Sequence, residues 1–267
     1  MGDMNADTLL DNFEVLSEAP GGIDRLRELI LQLAINGKLV LHDHSDYSAE
    51  NLVEESTAHL KKKIVTFEGC SKPSSFEIPQ HWAWSTVEGM CNTQTGATPK
   101  ILDSDSWRTK IQYVTAADMF KLRAIENNFV PLSSAERSGR IAPKDSVLFV
   151  GIGATIGKSC LIESPATFNQ QIHAATPRKM RADYLNLVMA SGYFQKICRE
   201  RTSTTAIPIL NKSKWETIGI PIPPLNEQIK IVGKASELMA LCDQLEVELK
   251  VRSEVAEKFA RSVVNTA

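Results

Sequence analysis

Between residues 220 and 259 the apolar positions fall into a seam. Ile231, Ala235, Leu238, Cys242, Leu245 and Leu249, then Ala256, Phe259 and Val263, recur at alternating steps of four and three, and Arg252 alone breaks the pattern. A spacing that averages about 3.5 residues keeps one stripe facing a partner helix, as in a coiled coil. Lys, Glu, Ser and Gln fill most of the positions between. Pro223 and Pro224 end an extended apolar piece and set the helix start. A helix of roughly 35 to 40 residues spans about 50 to 60 Å, longer than a small domain is wide. Its seam therefore predicts a second long helix as partner, rather than a terminal core helix.

The rest of the chain is punctuated differently. Residues 1–20 are polar and acidic and read as a loose lead-in. Leu26, Leu29, Ile30, Leu33 and Ala34 share one helical face, with Asp24 placed to start that helix and Gly37 to end it. A second helix is predicted from Ser48 to about Lys63, closing on three lysines that suit its C-terminal dipole. The stretch "FEGCSKPSS" reads as a linker.

From "FEIPQHWAW" onward, Gly, Pro, Asn and Ser cut the chain into short pieces. The pattern predicts an entry strand around Trp82 and Trp84, a loop over residues 94–100, and a strand at 111–114 followed by a short helix. It then predicts a turn at 143–145, a strand through Val147, Phe149 and Val150, a glycine-rich bend and a further strand. "FNQQIHAATP" reads as a strand carrying Asn169, Gln170 and Gln171, with Gln170 on the opposite face from its neighbours. The period turns helical again over 181–201. The fold class is α+β: one β-rich domain over residues 76–220, a helical segment and linker over 1–75, and a long coiled-coil spacer helix over 221–267.

Composition is ordinary for a soluble chain of 267 residues, with 43% hydrophobic and 23% charged. No apolar run reaches transmembrane length, and the N-terminus lacks a signal-peptide layout. Cys70, Cys91, Cys160, Cys198 and Cys242 form no CxxC pair. That odd, scattered set suits reduced thiols in a cytoplasmic protein and neither a metal site nor a disulfide frame. The net charge of −2 argues against nucleic acid until its distribution is read. Residues 76–220 carry 17 Lys and Arg against 12 Asp and Glu, while the remainder carries 13 against 20. A basic middle between acidic ends hints at a phosphate-facing surface.

"GIGATIGKS" invites a phosphate-loop reading, but counting back from Gly157 lands on Ile152 where the pattern needs glycine. No long helical pattern follows to supply a dipole, so a tight bend between strands is expected. "TGATPK" offers small hydroxyl residues and a lysine that can approach a DNA backbone closely; the same composition suits a plain surface turn. Adjacent amides suit adenine recognition in the major groove. "RERTSTTAIPILNKSK" mixes basic and hydroxyl residues, and suits phosphate contact or a solvated loop equally. No nucleophile-base arrangement, metal-ligand spacing or dinucleotide glycine fingerprint is present. No enzyme activity and no cofactor are expected.

Together and in order, "IDRLRELILQLAINGKLV", "IPQHWAW", "TGATPK", "GATIGKSCLI", "FNQQIHAATP" and "IPIPPLNEQIKIV...CDQLE" resemble the specificity (S) subunit of Type I restriction-modification enzymes. The likeness covers nearly the whole chain. It implies a protein that selects a double-stranded DNA sequence, docks methyltransferase (M) subunits and through them restriction (R) subunits, and performs no chemistry. Such subunits usually carry two recognition domains on helical spacers. Here there is one, so the resemblance implies a half-subunit or a fragment, with two copies pairing through Ile231, Ala235, Leu238, Cys242, Leu245, Leu249 and Phe259. Under this reading Lys100, Arg140, Lys144, Lys158, Lys212 and Lys214 are candidate phosphate contacts. Thr95, Thr98, Gln170 and Gln171 are candidates near base edges. An assembly scaffold for the methyltransferase subunits, with little DNA specificity of its own, is the alternative.

Overall fold

A strand buried along its whole length must be covered on both faces, and β6 (Val147–Val150) shows how this chain does it. In the computed structural model, which describes residues 6–41, 48–58, 77–120, 128–203 and 207–264, β6 lies inside a four-stranded antiparallel sheet. The strand order of that sheet is β2 (Cys91–Thr95), β9 (Ile172–Pro177), β6, β7 (Ser159–Leu161). Val147 and Phe149 point to a core shared with helices, while Leu148 and Val150 point to a core shared with a second sheet. β9 divides in the same way, with Ala175 on the helical side and Ile172 and Ala174 on the sheet side. Period-two alternation thus sorts side chains between two apolar layers.

The second sheet runs β4 (Phe129–Pro131), β3 (Lys110–Val114), β8 (Ala166–Phe168), β5 (Ile141–Ala142), with β3 and β8 parallel. A third, two-stranded sheet pairs β1 (Ala83–Thr86) with β10 (Gly219–Ile222). The boundary expected at 220/221 therefore falls inside a paired strand, and the one expected at 75/76 lies outside the described residues.

The lead-in is not loose where it is described. Helices α1 (Ala6–Asp11) and α2 (Phe13–Glu18) bury Leu9 and Phe13, apolar positions too sparse to announce themselves among acidic neighbours. Helix α3 (Gly22–Ile35) starts two residues before Asp24, after Gly21 in a left-handed conformation, and Asp24 sits in its first turn. Ser48 accepts from the Glu50 amide to cap α4 (Ala49–Thr57), as its sequence predicts. The three lysines and the linker that follow lie outside the described residues. Between β1 and β2 stands α5 (Val87–Met90), and α6 (Leu132–Ser138) follows β4. The helical stretch after Arg181 is broken at Ser191 into α7 (Ala182–Ala190) and α8 (Gly192–Arg201). A short α9 (Lys212–Glu216) carries the buried Trp215.

α10 (Leu225–Val264) runs 40 residues, about 60 Å. Its start is fixed by Gln228, whose Nε2 donates to Pro223 O at 2.9 Å and whose Oε1 accepts from the Arg181 amide at 2.8 Å. Ile231, Ala235, Leu238 and Cys242 are fully buried in one cluster with Leu26, Ile30, Leu33 and Ala34 of α3 and with Leu185 and Val188 of α7. This corrects the expectation that the seam awaits another molecule: over these four positions its partner lies in the same chain. Leu245 is half-buried against the same cluster, and Leu249 lines a small crevice with Ser17 and Glu18 of α2. Beyond that point every described side chain from Lys250 to Lys258 is exposed; the Phe259 side chain lies outside the described residues.

Candidate nucleic-acid interface

Four segments meet where β6 ends and β9 begins. The first is the "FNQQ" corner. Sequence alternation predicts one strand there, but the chain leaves the second sheet after Phe168 and enters the first at Ile172. The three amides form the corner between sheets and do not alternate across a strand. Asn169 is committed to that turn. Its Oδ1 accepts from the Gln171 amide at 3.1 Å and its Nδ2 donates to Gln171 Oε1 at 3.0 Å. Gln171 is half-buried and Gln170 is exposed.

The other three segments dock on this corner through their backbones. The Gly96 amide donates to Ile172 O at 3.0 Å, and the Gly151 amide to Gln171 O at 2.8 Å. The Leu210 amide donates to Gly151 O at 2.8 Å and the Gly153 amide to Pro208 O at 3.1 Å. Gly96 sits so close that a Cβ there would lie 2.2 Å from Asn169 O and 2.4 Å from Phe168 O. The bend over 151–158 uses positive φ at Gly153 and Gly157, and then continues as β7. No helix follows it, as the failed phosphate-loop count predicts.

Among the candidate residues, Thr98 and Gln170 are brought together. Thr98 Oγ1 donates to Gln170 Oε1 at 3.0 Å and stands 3.2 Å from the Tyr113 hydroxyl, which then acts as donor. The strand register puts Arg140, exposed, opposite Phe168 and so beside the corner. Lys100 is exposed on the segment after Gly96. Lys158 is half-buried at the foot of the bend. Lys212 and Lys214 lie just past the fourth segment, but their ammonium groups are engaged: Lys212 with Glu216, and Lys214 with Arg201 O at 3.3 Å. Two placements differ from the rest. Lys144, exposed, occupies the turn before β6, at the other end of the strand. Thr95 is half-buried and its hydroxyl stands 3.0 Å from His173 Nδ1.

That threonine belongs to a buried support. His173 Nε2 faces Leu210 O at 3.0 Å, and a carbonyl only accepts, so Nε2 carries the proton and Nδ1 accepts from Thr95. The ring lies 5.3 Å from Trp215, which stacks at 5.5 Å on Phe149. Burial pushes the imidazole below its ordinary value and keeps it neutral. This unit ties the fourth segment to the sheet beneath.

The loop that leaves the second segment runs on to residue 109, and sequence reasoning missed its part beyond residue 100. Asp105, with a side chain only 2% exposed, is its hub. The carboxylate accepts from both terminal guanidinium nitrogens of Arg137 at 2.7 and 2.6 Å, from the Leu102 amide at 2.8 Å and from Ser133 Oγ at 2.7 Å. The Arg137 guanidinium first, then the Leu102 amide and Ser133, hold it well below the usual carboxylate range. Arg137 Nη2 also donates to Lys100 O at 3.0 Å. The tryptophan at 107 within "DSDSWRTK" was the available signal.

Residues 79–252 match the model of the Type I restriction modification DNA specificity domain. The chain belongs to this family. Among curated proteins, this DNA specificity domain is 24% identical over 273 residues to the Type I restriction enzyme EcoEI specificity subunit of Escherichia coli. It is 26% identical to the EcoAI specificity subunit of the same organism. Each alignment covers 92% of this chain and 44% of the relative, so the chain spans less than half the length of these proteins. A solved chain described under complex assembly and conformational transition of the type I R-M system shares the fold. Its TM-score is 0.50 at 16% identity, covering 95% of this chain and 55% of that one. No helix among the described residues is long and apolar enough to cross a membrane.

Proposed function

We propose that this chain is the DNA-reading component of a Type I restriction-modification complex, performs no chemistry itself, and recognises one half of a split double-stranded target. The observation that carries the reading is the convergence of four backbone-docked segments at one end of the two sheets. There, exposed Thr98 and Gln170 lie beside exposed Lys100 and Arg140. Amide and hydroxyl groups read base edges while cations hold phosphates. Residues 76–220 form the reading unit, and the helical parts over 1–75 and 221–267 set spacing and dock methyltransferase subunits, which in turn bring restriction subunits.

Self-association uses the part of α10 that its own chain leaves uncovered. Val247, Val251 and Val255 are exposed at four-residue steps on this overhang, and a second copy laid antiparallel covers them. A two-fold pair carries identical reading units at its ends, so the target is a palindrome with an unspecified gap.

Selection from sequence-randomised duplexes, by the full chain alone and with its methyltransferase subunit, tests the reading. Enrichment of a split, palindromic motif is expected. No enrichment in either arm sinks it. Duplex binding only with the methyltransferase subunit and without sequence preference favours the scaffold reading, which the exposed overhang of α10 supports.

A further inference from the structure

The loop of residues 97–109 holds three large apolar side chains in solvent: Ile101, Leu102 and Trp107 are 45, 40 and 56% exposed. Single exposed apolar residues are ordinary, but three within seven positions of one loop form a patch. The loop is not slack. The Leu102 amide and Ser133 and Arg137 converge on Asp105, and the Asp105 amide donates back to Leu102 O at 3.0 Å. At its far end the Leu132 amide donates to Thr109 O at 3.0 Å. A charge network centred on the covered Asp105 carboxylate thus fixes a turn that leaves the apolar groups exposed.

Two features identify what they face. The loop is continuous with the four-segment convergence, since Thr98 at its start contacts Gln170. Its flanks are cationic: Lys100, Arg108 and Lys110 stand against Asp103 and the Arg137-paired Asp105. We infer that Trp107 and Leu102 enter a groove of duplex DNA, making apolar contact with base edges and thymine methyls, while Lys100 and Arg108 hold the adjacent phosphates. Apolar contact with thymine methyl groups and partial insertion between base steps are both open to such side chains. Asp105 is a positioning residue, holding the loop that presents them. The inference rests on the DNA-reading function proposed above.

Trp107→Ala, Leu102→Ala and Asp105→Asn variants of the full chain test it, against a duplex recovered by selection with the wild type and a scrambled duplex of equal length. Trp107→Ala and Leu102→Ala remove exposed groups, and unchanged melting temperatures verify their folding. Trp107→Ala is expected to weaken the selected duplex roughly tenfold and to leave the scrambled one within about twofold. Asp105→Asn is expected to weaken the selected duplex while both apolar groups remain. Trp82 and Trp215 are buried and Trp84 half-buried, so quenching of tryptophan emission by the selected duplex is expected to vanish in Trp107→Phe. Selected-duplex affinity and quenching unchanged in Trp107→Ala and Trp107→Phe overturn the inference while leaving the DNA-reading function intact. A Trp107→Ala variant that binds DNA normally but loses the methyltransferase subunit also overturns it and makes the patch a protein contact. A wild type that enriches no sequence instead defeats the underlying function, and is seen before any variant is made.

Discussion

Arg27 Nη2 on α3 lies 2.7 Å from Asp243 Oδ1 on α10, and 2.6 Å from Glu246 Oε2 one turn further on. Both carboxylates, by hydrogen bonds first, raise the guanidinium above its ordinary value. The contact marks the line along which α10 is held by its own chain, with Leu238 and Cys242 buried beside it.

The apolar seam, and not this ion pair, carries the helix packing. Both acidic partners are exposed, so removing the pair by Arg27→Ala is expected to cost about 1 kcal/mol or less, and less still in high salt. Leu238→Ala is expected to cost about 2 to 5 kcal/mol, through lost burial and the cavity left behind. Chemical denaturation of the two variants compares them directly. Equal losses would mean that α3 and α10 are joined chiefly by charge.

The overhang should behave in the opposite way. Val247, Val251 and Val255 are exposed, so Ser at all three is expected to leave the melting temperature of the monomer unchanged. If two copies pair there, light scattering of the wild type gives a mass near twice 29.5 kDa and the triple variant gives 29.5 kDa. A wild type that stays monomeric across the concentration series rejects pairing through this surface in the isolated chain.

What the sequence shows plainly is what local physics decides alone. β6 reads as a strand through the apolar Val147, Phe149 and Val150, and α10 reads from its spacing. The seam's partner is not legible, because a 3.5-residue stripe states that a helix is faced and not which chain supplies it. The corner at Asn169 is not legible either. Its amides fit a strand, and only the tertiary parallel pairing of β3 with β8 forces the chain to change sheets there. Lys144 and Lys158 look alike in sequence, yet lie at opposite ends of β6 because the strand between them reverses the chain only at the bend.

The neutral histidine makes stability fall in mild acid. Burial first, with Lys212 adding repulsion and Leu210 O and Glu216 opposing, lowers the His173 value below 6.5. As pH drops below about 6.5 the unfolded chain binds a proton that the folded chain refuses, so unfolding becomes easier until the folded-state value is passed. Above that window this residue contributes no pH dependence. His173→Gln is expected to flatten the decline in unfolding free energy between pH 7 and 5, whatever it does to the plateau. A variant with the same slope as the wild type would assign the acid sensitivity to other groups.

Under the DNA-reading function proposed above, Lys100 and Gln170 should fail in different ways. Lys100 is an exposed cation on a docked segment, and a phosphate attracts it whatever the base sequence. Lys100→Ala is therefore expected to weaken all duplexes alike and to reduce the slope of log affinity against log salt by about one unit. Gln170 is an exposed amide held by Thr98, and in the proposed function it meets a base edge. Gln170→Ala is expected to relax preference at one position of the selected motif, by about 1 to 3 kcal/mol, with the salt slope unchanged. Repeating the selection and the salt titration on each variant separates the two. If Gln170→Ala shifts the salt slope while the motif stays intact, the corner holds the backbone and the bases are read elsewhere.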